Sequence, residues 1–156
     1  MVAGVIEGFK AGALPSYAHY LTQQQAKCWH ELAKGFRTRA SGESAFDNAF
    51  AHAAQLVGPH ATDVIAIGAG IAEKEDRLVA ELMSNPSQCN VRFIDISADL
   101  LREAEATFET TSNVHMQASV EADISSSDFS LPARKRIAET NALQVFTLFG
   151  VIPGLT

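Results

Sequence analysis

The size and composition of the chain predict a single globular domain. Of its 156 residues, 47% are hydrophobic and 19% charged, which supplies enough apolar material for a core and excludes a disordered chain. The net charge of −6 disfavours general binding to the phosphate backbone of nucleic acids, and no apolar run reaches the roughly 18 residues of a membrane span.

Two helices are predicted in the amino-terminal part of the chain. The first begins near Ser16, and its apolar stripe recurs at helical spacing. A turn follows at Ser41-Gly42, after which Ser44 is placed to cap the second helix, which Gly58-Pro59 ends. The stripe of the first helix consists of Tyr17, Tyr20, Leu21, Cys28, Leu32 and Phe36.

The pattern then changes to alternating strands and helices. The continuous apolar run from Val64 to Ile67 is typical of a parallel strand that is covered on both faces. The alternation predicts an α/β fold with a mostly parallel sheet of about four strands. The later predicted elements are a helix at Glu73 to Met83, a strand at Val91 to Ile94, a helix capped by Ser97, a strand at Val114 to Ala118, a loop at 119–131, a helix from Pro132 to about Thr140 and a strand at Leu143 to Phe149.

A glycine turn and a carboxylate predict a ligand site at one edge of this sheet. Gly68-Ala69-Gly70 ends the first strand, and glycine permits a tight turn with room beside a ligand. Asp95 ends the next strand, where an acidic side chain can accept hydrogen bonds from ribose hydroxyls. We therefore predict a nucleoside cofactor. The alternatives are a structural turn for the glycines, and for Asp95 a loop carboxylate or an aid to the cap at Ser97.

The residue types in the turn discriminate between cofactors. A dinucleotide fingerprint has the pattern G-x-G-x-x-G, and its third glycine position is occupied here by Glu73. A bulky charged residue at this position argues against NAD and FAD. S-adenosylmethionine has no pyrophosphate and does not need the third glycine.

Three segments resemble the histidine-specific methyltransferases, which trimethylate the α-amino group of histidine in ergothioneine synthesis. Residues 68–74, with the sequence GAGIAEK, resemble the family's G-S-G-x-x-E-K loop. Asp95-Ile96-Ser97 resembles its D-[VI]-S motif, and Leu148-Phe149-Gly150 resembles the end of its fourth strand. The resemblance covers residues 63–156 and implies a Rossmann-like domain that binds S-adenosylmethionine and serves a small amine or amino-acid-like substrate.

The resemblance also implies roles for individual residues. The alternative interpretation of Lys74 is a solvated lysine in the first turn of a helix, and that of Ile96 is an ordinary core residue. The implied roles are the methionine part of the cofactor for Gly68, Ala69, Gly70 and Gly150, its carboxylate for Lys74, its ribose for Asp95 and its adenine for Ile96. For the family's aspartate that binds the adenine amino group, Ser119 is the nearest match, and Glu121 and Asp123 lie close by, which leaves that assignment open.

Several positions depart from the family pattern. Ala66 stands where methyltransferases often carry an acid, and Gly154-Leu155 stands where the family has glycine and asparagine near its substrate. The chain also ends soon after the predicted fourth strand, without the family's later strands and substrate domain. We therefore expect an incomplete methyltransferase fold that is either part of a longer protein or a homodimer formed through an exposed sheet edge or apolar face. Residues 1–58 would be a helical segment packing on the cofactor-binding domain, 59–156.

Three hypotheses of function follow from these observations. The first is a methyltransferase or its cofactor-binding part; the second is a degenerate, non-catalytic binding or dimerisation module; the third is an NAD-dependent oxidoreductase. The five histidines have no metal-ligand spacing, so we predict no metal site, and we assign no catalytic residue. Cys28 and Cys89 form no C-x-x-C pair and, with no secretory signal predicted, favour a cytoplasmic protein.

Overall fold

The computed structural model describes most of the two predicted βα units and parts of the remaining chain. The described residues are 2–12, 18, 22–25, 27–28, 31, 40–84, 88–109, 114–124, 126–131 and 142–149. The helix predicted from Pro132 lies outside them, as do Gly150, Gly154 and most of the helix predicted from Ser16.

The protein has an α/β fold whose described strands are all parallel, which confirms the predicted Rossmann-like architecture. The sheet has the order β3-β2-β1-β5, and the short strand β4 pairs with β2 beyond the end of β3. The strands are β1 Thr62–Ile67, β2 Cys89–Asp95, β3 Val114–Met116, β4 Val120–Glu121 and β5 Leu143–Thr147. The described helices are α1 Val2–Lys10, α2 Ala40–Val57, α3 Glu73–Leu82 and α4 Ala98–Phe108.

One hydrophobic core joins α2, α3 and α4 to one face of the sheet. Side chains alternate between the two faces of a strand, so every second residue of β1 and β2 reaches this core. Phe93 of β2 is fully buried and packs against Phe108 of α4, with ring centroids 5.3 Å apart. The helix residues predicted to face inward are confirmed as buried, namely Leu78, Val79, Leu82, Leu100, Leu101, Ala104 and Phe108.

A row of polar residues crosses the opposite face of the sheet. Asp63 of β1 lies beside Asn90 of β2 and Gln144 of β5, and Asn90 lies beside His115 of β3. The Asn90 side-chain amide donates a 2.7 Å hydrogen bond to the Asp63 carboxylate. This polar row is therefore a continuous band across four neighbouring strands.

The predicted start of the second helix was wrong. Helix α2 begins at Ala40, so Ser41-Gly42 forms no turn and Ser44 is not the cap. Extending an existing helix adds one backbone hydrogen bond for each residue, which offsets the helix-breaking tendency of a single glycine. The predicted end is confirmed, because Gly58 has a φ of 60° and its N–H donates to the Ala54 carbonyl at 2.9 Å.

The strands differ from the predicted ones at several boundaries: β1 begins at Thr62 rather than Val64, and β2 spans Cys89–Asp95 rather than Val91 to Ile94. β4 lies inside the predicted loop 119–131, where two residues are too few to give a periodic pattern. β3 ends at Met116 rather than Ala118, and β5 ends at Thr147 rather than Phe149. Among the helices that the structure describes, none is both long enough and apolar enough to cross a membrane.

Candidate functional site

The turn after β1 is built by glycines in a left-handed conformation. Gly68 has a φ of 65° and Gly70 a φ of 57°, which L-residues with side chains rarely adopt. The Gly68 N–H donates to the Ile94 carbonyl at 2.7 Å, which holds the turn against the end of β2. Among the residues that the structure describes, none places a heavy atom within 4 Å of a Cβ added to Gly70.

Asp95 lies next to this turn, as predicted from the parallel arrangement of β1 and β2. One carboxylate oxygen accepts the Gly70 N–H at 3.0 Å, and the other accepts the Ser97 N–H at 3.0 Å. The Ser97 hydroxyl in turn accepts the Leu100 N–H at 3.3 Å, which confirms Ser97 as the cap of α4. The carboxylate therefore fastens the glycine turn, which was not predicted, and supports the cap at Ser97, which is one of the two alternatives considered for it.

The Asp95 side chain is buried, and this burial affects the pKa of its carboxyl group. Desolvation raises the pKa of Asp95 above its ordinary value, and the backbone N–H groups of Ser97, Gly70 and Ile96 oppose the shift. A carboxylate has about four acceptor positions, so these groups leave little spare capacity. A ribose that used both hydroxyls here would replace the Gly70 N–H at one oxygen.

Lys74 lies against aromatic rings of α2 and of the segment after β5. Its Nζ is 4.8 Å from the ring centroid of Phe46 and 5.6 Å from that of Phe149. Phe50 completes a ring triad in which the centroids are 5.6 to 5.7 Å apart. The side chain is half-buried, so Lys74 is not the fully solvated lysine considered as its alternative.

A buried carboxyl group that the sequence interpretation missed lies beside Lys74. Glu75 is 2% exposed and Thr147 is 3% exposed, and the Thr147 hydroxyl donates to a Glu75 carboxylate oxygen at 2.9 Å. Burial raises the pKa of Glu75 to about 7, although the Thr147 hydrogen bond, its own backbone N–H and the Lys74 charge lower it. Glu75 shares a helix face with Leu78, Val79 and Leu82, and that spacing is the sequence feature that could have revealed it.

The Glu75–Thr147 pair lies where the sheet topology changes direction. The chain proceeds from β1 to β2 and β3 on one side and then returns to β5 on the other side of β1. Ligands of open α/β sheets bind outside the carboxyl ends of the strands at such a switch point. Thr147 pairs with Ala66 at this end of β1 and β5. The glycine turn and Glu75 thus border one edge of the sheet from two sides.

Ser119 and Ile96 lie near the same edge, on the side of β2. Ser119 directly precedes β4, in which Glu121 lies beside Asp95. The Ser119 Oγ is buried and makes no hydrogen bond to any described residue. Ile96 is half-buried directly after Asp95. A ligand at this edge could therefore satisfy the Ser119 hydroxyl, once the atoms that cover it move aside.

Metal binding and cysteine chemistry are the two remaining possibilities for the described part of the chain. Within the described ranges, no three His, Cys, Asp or Glu residues lie together in a way that could hold a metal ion. Cys28 and Cys89 are free thiols, and burial together with the Asp63 charge raises the pKa of Cys89 to about 12. Comparison with models of known protein families finds no match, and comparison with curated proteins finds no significant relative.

Proposed function

We propose that this chain is the cofactor-binding part of an S-adenosylmethionine-dependent methyltransferase that acts on a small amine or amino-acid-like substrate. The observation that carries the proposal is the 3.0 Å hydrogen bond between Gly70 and Asp95, which unites the glycine turn and the carboxylate at one edge of the sheet. The described residues leave room for a ligand beside Gly70. The resemblance of residues 68–74 and 95–97 to a methyltransferase family supplies the cofactor class.

The charges around the turn favour a cationic cofactor over a diphosphate. Three of the four residues that begin α3 are acidic: Glu73, Glu75 and Asp76. A dinucleotide places its diphosphate at such a helix start, where these acids would oppose it. The sulfonium of S-adenosylmethionine carries a positive charge, which the same acids attract. This difference weighs against the alternative of an NAD-dependent oxidoreductase.

In this proposal, each residue of the site would serve one part of the cofactor. Asp95 would hold the ribose, Ser119 and Ile96 the adenine, and Lys74 the carboxylate, while the glycine turn would border the methionine part. Methyl transfer from a sulfonium is an in-line displacement, in which the protein aligns the nucleophile with the methyl group and excludes water. The chain would therefore contribute by positioning the cofactor and by placing charged side chains around it.

Calorimetric titration of the folded protein with S-adenosylmethionine, S-adenosylhomocysteine and NAD tests this proposal. We expect heat of binding with the first two ligands and none with NAD. Asp95→Asn should weaken S-adenosylmethionine binding by roughly tenfold or more, since hydrogen bonds to charged groups contribute about 1.5–3 kcal/mol. Asp128→Asn, at an exposed position, is the matched control and should bind as the unchanged protein does. No heat with either sulfur ligand would refute the proposal.

A second candidate function is a non-catalytic binding or dimerisation module. It is favoured by the apolar side chains that β5 and its end expose, namely Leu143 at 40%, Phe146 at 42% and Leu148 at 38%. Large exposed apolar groups often mark interaction surfaces. Sedimentation equilibrium should then show a dimer that Phe146→Lys converts to a monomer. Cofactor binding without methylation of any amine would also support this function over catalysis.

We also propose a cytoplasmic location. Cys28 and Cys89 are free thiols, and proteins of reducing compartments keep their cysteines in this form. Fractionation of cells that express the chain, followed by immunodetection, would test the location.

A further inference from the structure

We propose that Phe46 and Phe149 form a binding site for an alkylammonium group, in the place now taken by the Lys74 ammonium. The identification of that group with the methyl acceptor rests on the proposed methyltransferase function. The existence of the site does not, because it follows from the contacts of three side chains.

The chain's own ammonium shows what the two rings accept. Lys74 Nζ lies 4.8 Å from the Phe46 centroid and 5.6 Å from the Phe149 centroid. These rings meet at an interplanar angle of 90°, so they present two differently oriented surfaces to one cation. Attraction between a cation and the electron-rich face of a ring acts at distances up to about 6 Å and extends to alkylated ammonium groups.

In the triad of phenylalanine rings, Phe46 and Phe149 are more exposed than Phe50. Phe50 is 3% exposed and belongs to the core, whereas Phe46 and Phe149 are half-buried. Lys74 has a long, flexible side chain whose ammonium can move to another partner. When it moves away, the Phe46 and Phe149 surfaces become available to an external cation. Lys74 therefore acts as a displaceable occupant of the site.

The surrounding charge and location also suit an ammonium ligand. The Glu75 carboxyl adjoins Lys74, and its first-turn neighbours Glu73 and Asp76 add negative charge. Phe149 follows two residues after Thr147, so the rings lie at the carboxyl end of β5, at the topological switch point. An ammonium held by the rings would occupy the sheet edge that the glycine turn also borders. A methyl acceptor and a methyl donor could thus approach each other from adjacent positions.

A ligand-observed NMR titration tests this site without any cofactor. The probe is choline, and the neutral control is 3,3-dimethyl-1-butanol, which has the same shape without the charge. We expect Lys74→Met to bind choline roughly tenfold more tightly than the unchanged protein, since the competing ammonium is gone. The methyl resonance of choline should shift upfield as it stacks on the rings.

Two further variants make the test specific. Arg77 lies over Phe50, with its Cζ 5.8 Å from the ring centroid, so Arg77→Met removes a neighbouring cation from a buried ring and should give no gain in choline affinity. Phe149→Leu in the Lys74→Met protein keeps an apolar side chain and should abolish the gain. Thermal unfolding of each variant checks that it is folded.

The outcomes separate this proposal from the proposed function. Equal choline affinity with and without Lys74, equal binding of the neutral alcohol, or a matching gain in Arg77→Met would each overturn the ammonium site. A gain in choline affinity in Lys74→Met, together with no binding of S-adenosylmethionine by the unchanged protein, would support the ammonium site and reject the methyltransferase.

Discussion

Strands β2 and β5 flank β1 on its two sides, but the structure buries them very differently. Both strands are parallel to β1. In β2, Val91, Phe93 and Ile94 are each 0% exposed, whereas Phe146 of β5 is 42% exposed. β2 pairs with β1, β3 and β4, whereas β5 pairs with β1 alone among the described strands. The two sides of β1 therefore differ in packing although their strands run alike.

The same contrast divides the candidate site. On the β2 side, the glycine turn is held by backbone hydrogen bonds and by the Asp95 carboxylate. On the β5 side, the backbone pairing of β5 with β1 ends at Thr147, and the site is completed by side-chain contacts, namely the Glu75–Thr147 hydrogen bond and the rings around Lys74. The two halves of the candidate site therefore differ in the kind of contact that holds them in place.

The largest expected effect tests the contrast in burial directly. Phe93→Ala should lower the free energy of unfolding by about 4 kcal/mol, because it removes a fully buried ring and leaves a cavity. Phe146→Ala should cost less than about 1 kcal/mol, because much of this side chain already contacts solvent. Urea denaturation followed by circular dichroism measures both values. Similar losses for the two variants would show that β5 is covered as completely as β2.

The next largest effect concerns the buried acid on the β5 side. The pKa of Glu75 rises from 4.5 to about 7 on folding, so its contribution to stability is complete below pH 4.5 and is lost as the pH rises through about 7. The loss amounts to about 3 kcal/mol for a shift of this size. Glu75→Gln cannot ionise, so we expect it to lack this part of the pH dependence and to exceed the unchanged protein in stability at pH 8.

The control for this effect comes from the β2 side. The raised pKa of Asp95 acts in the same direction and persists in Glu75→Gln, so the comparison is the difference between the two pH profiles. Denaturation midpoints measured from pH 4 to pH 8 give that difference. Parallel profiles for the two proteins would contradict the assignment of a titrating proton to Glu75.

The smallest expected effect sharpens the description of the β2 side. Ser97→Ala removes the side-chain acceptor of the Leu100 N–H and should cost about 1 kcal/mol, as is usual for helix caps. Ser44→Ala is the comparison variant, since Ser44 lies four residues after the start of α2 rather than at its cap position. Thermal unfolding should separate the two variants by several degrees. A larger loss of stability in Ser44→Ala than in Ser97→Ala would indicate that Ser44 caps α2 and that the helix begins there.

The sequence allowed the β2 side to be predicted because its rules are local. The glycine turn and Asp95 each end a strand with a clear apolar pattern, and parallel strands bring their carboxyl ends to one edge. The cap at Ser97 and the buried face of α4 follow from helical spacing. The error at the start of α2 arose because Ser41-Gly42 favours a turn by composition, while the helix continues through it.

The β5 side was harder to predict because its contacts join distant parts of the chain. Glu75 and Thr147 are 72 residues apart, and a glutamate in an acidic first turn is ordinarily solvated. Lys74 contacts Phe46 of α2 and Phe149 beyond β5, and the sequence of no single segment predicts this combination. Helical spacing could have revealed Glu75 on the buried face, but only the fold supplies its hydrogen-bond partner.

The polar row behind the sheet has a consequence for how the strands align during folding. If β1 paired with β2 one position out of step, Asp63 would turn towards the apolar layer beneath α3 and α4 and would lose the Asn90 amide. Burying a carboxylate there without a partner costs several kcal/mol. The Asp63–Asn90 pair therefore favours the observed register of β1 and β2 over one shifted by a single residue.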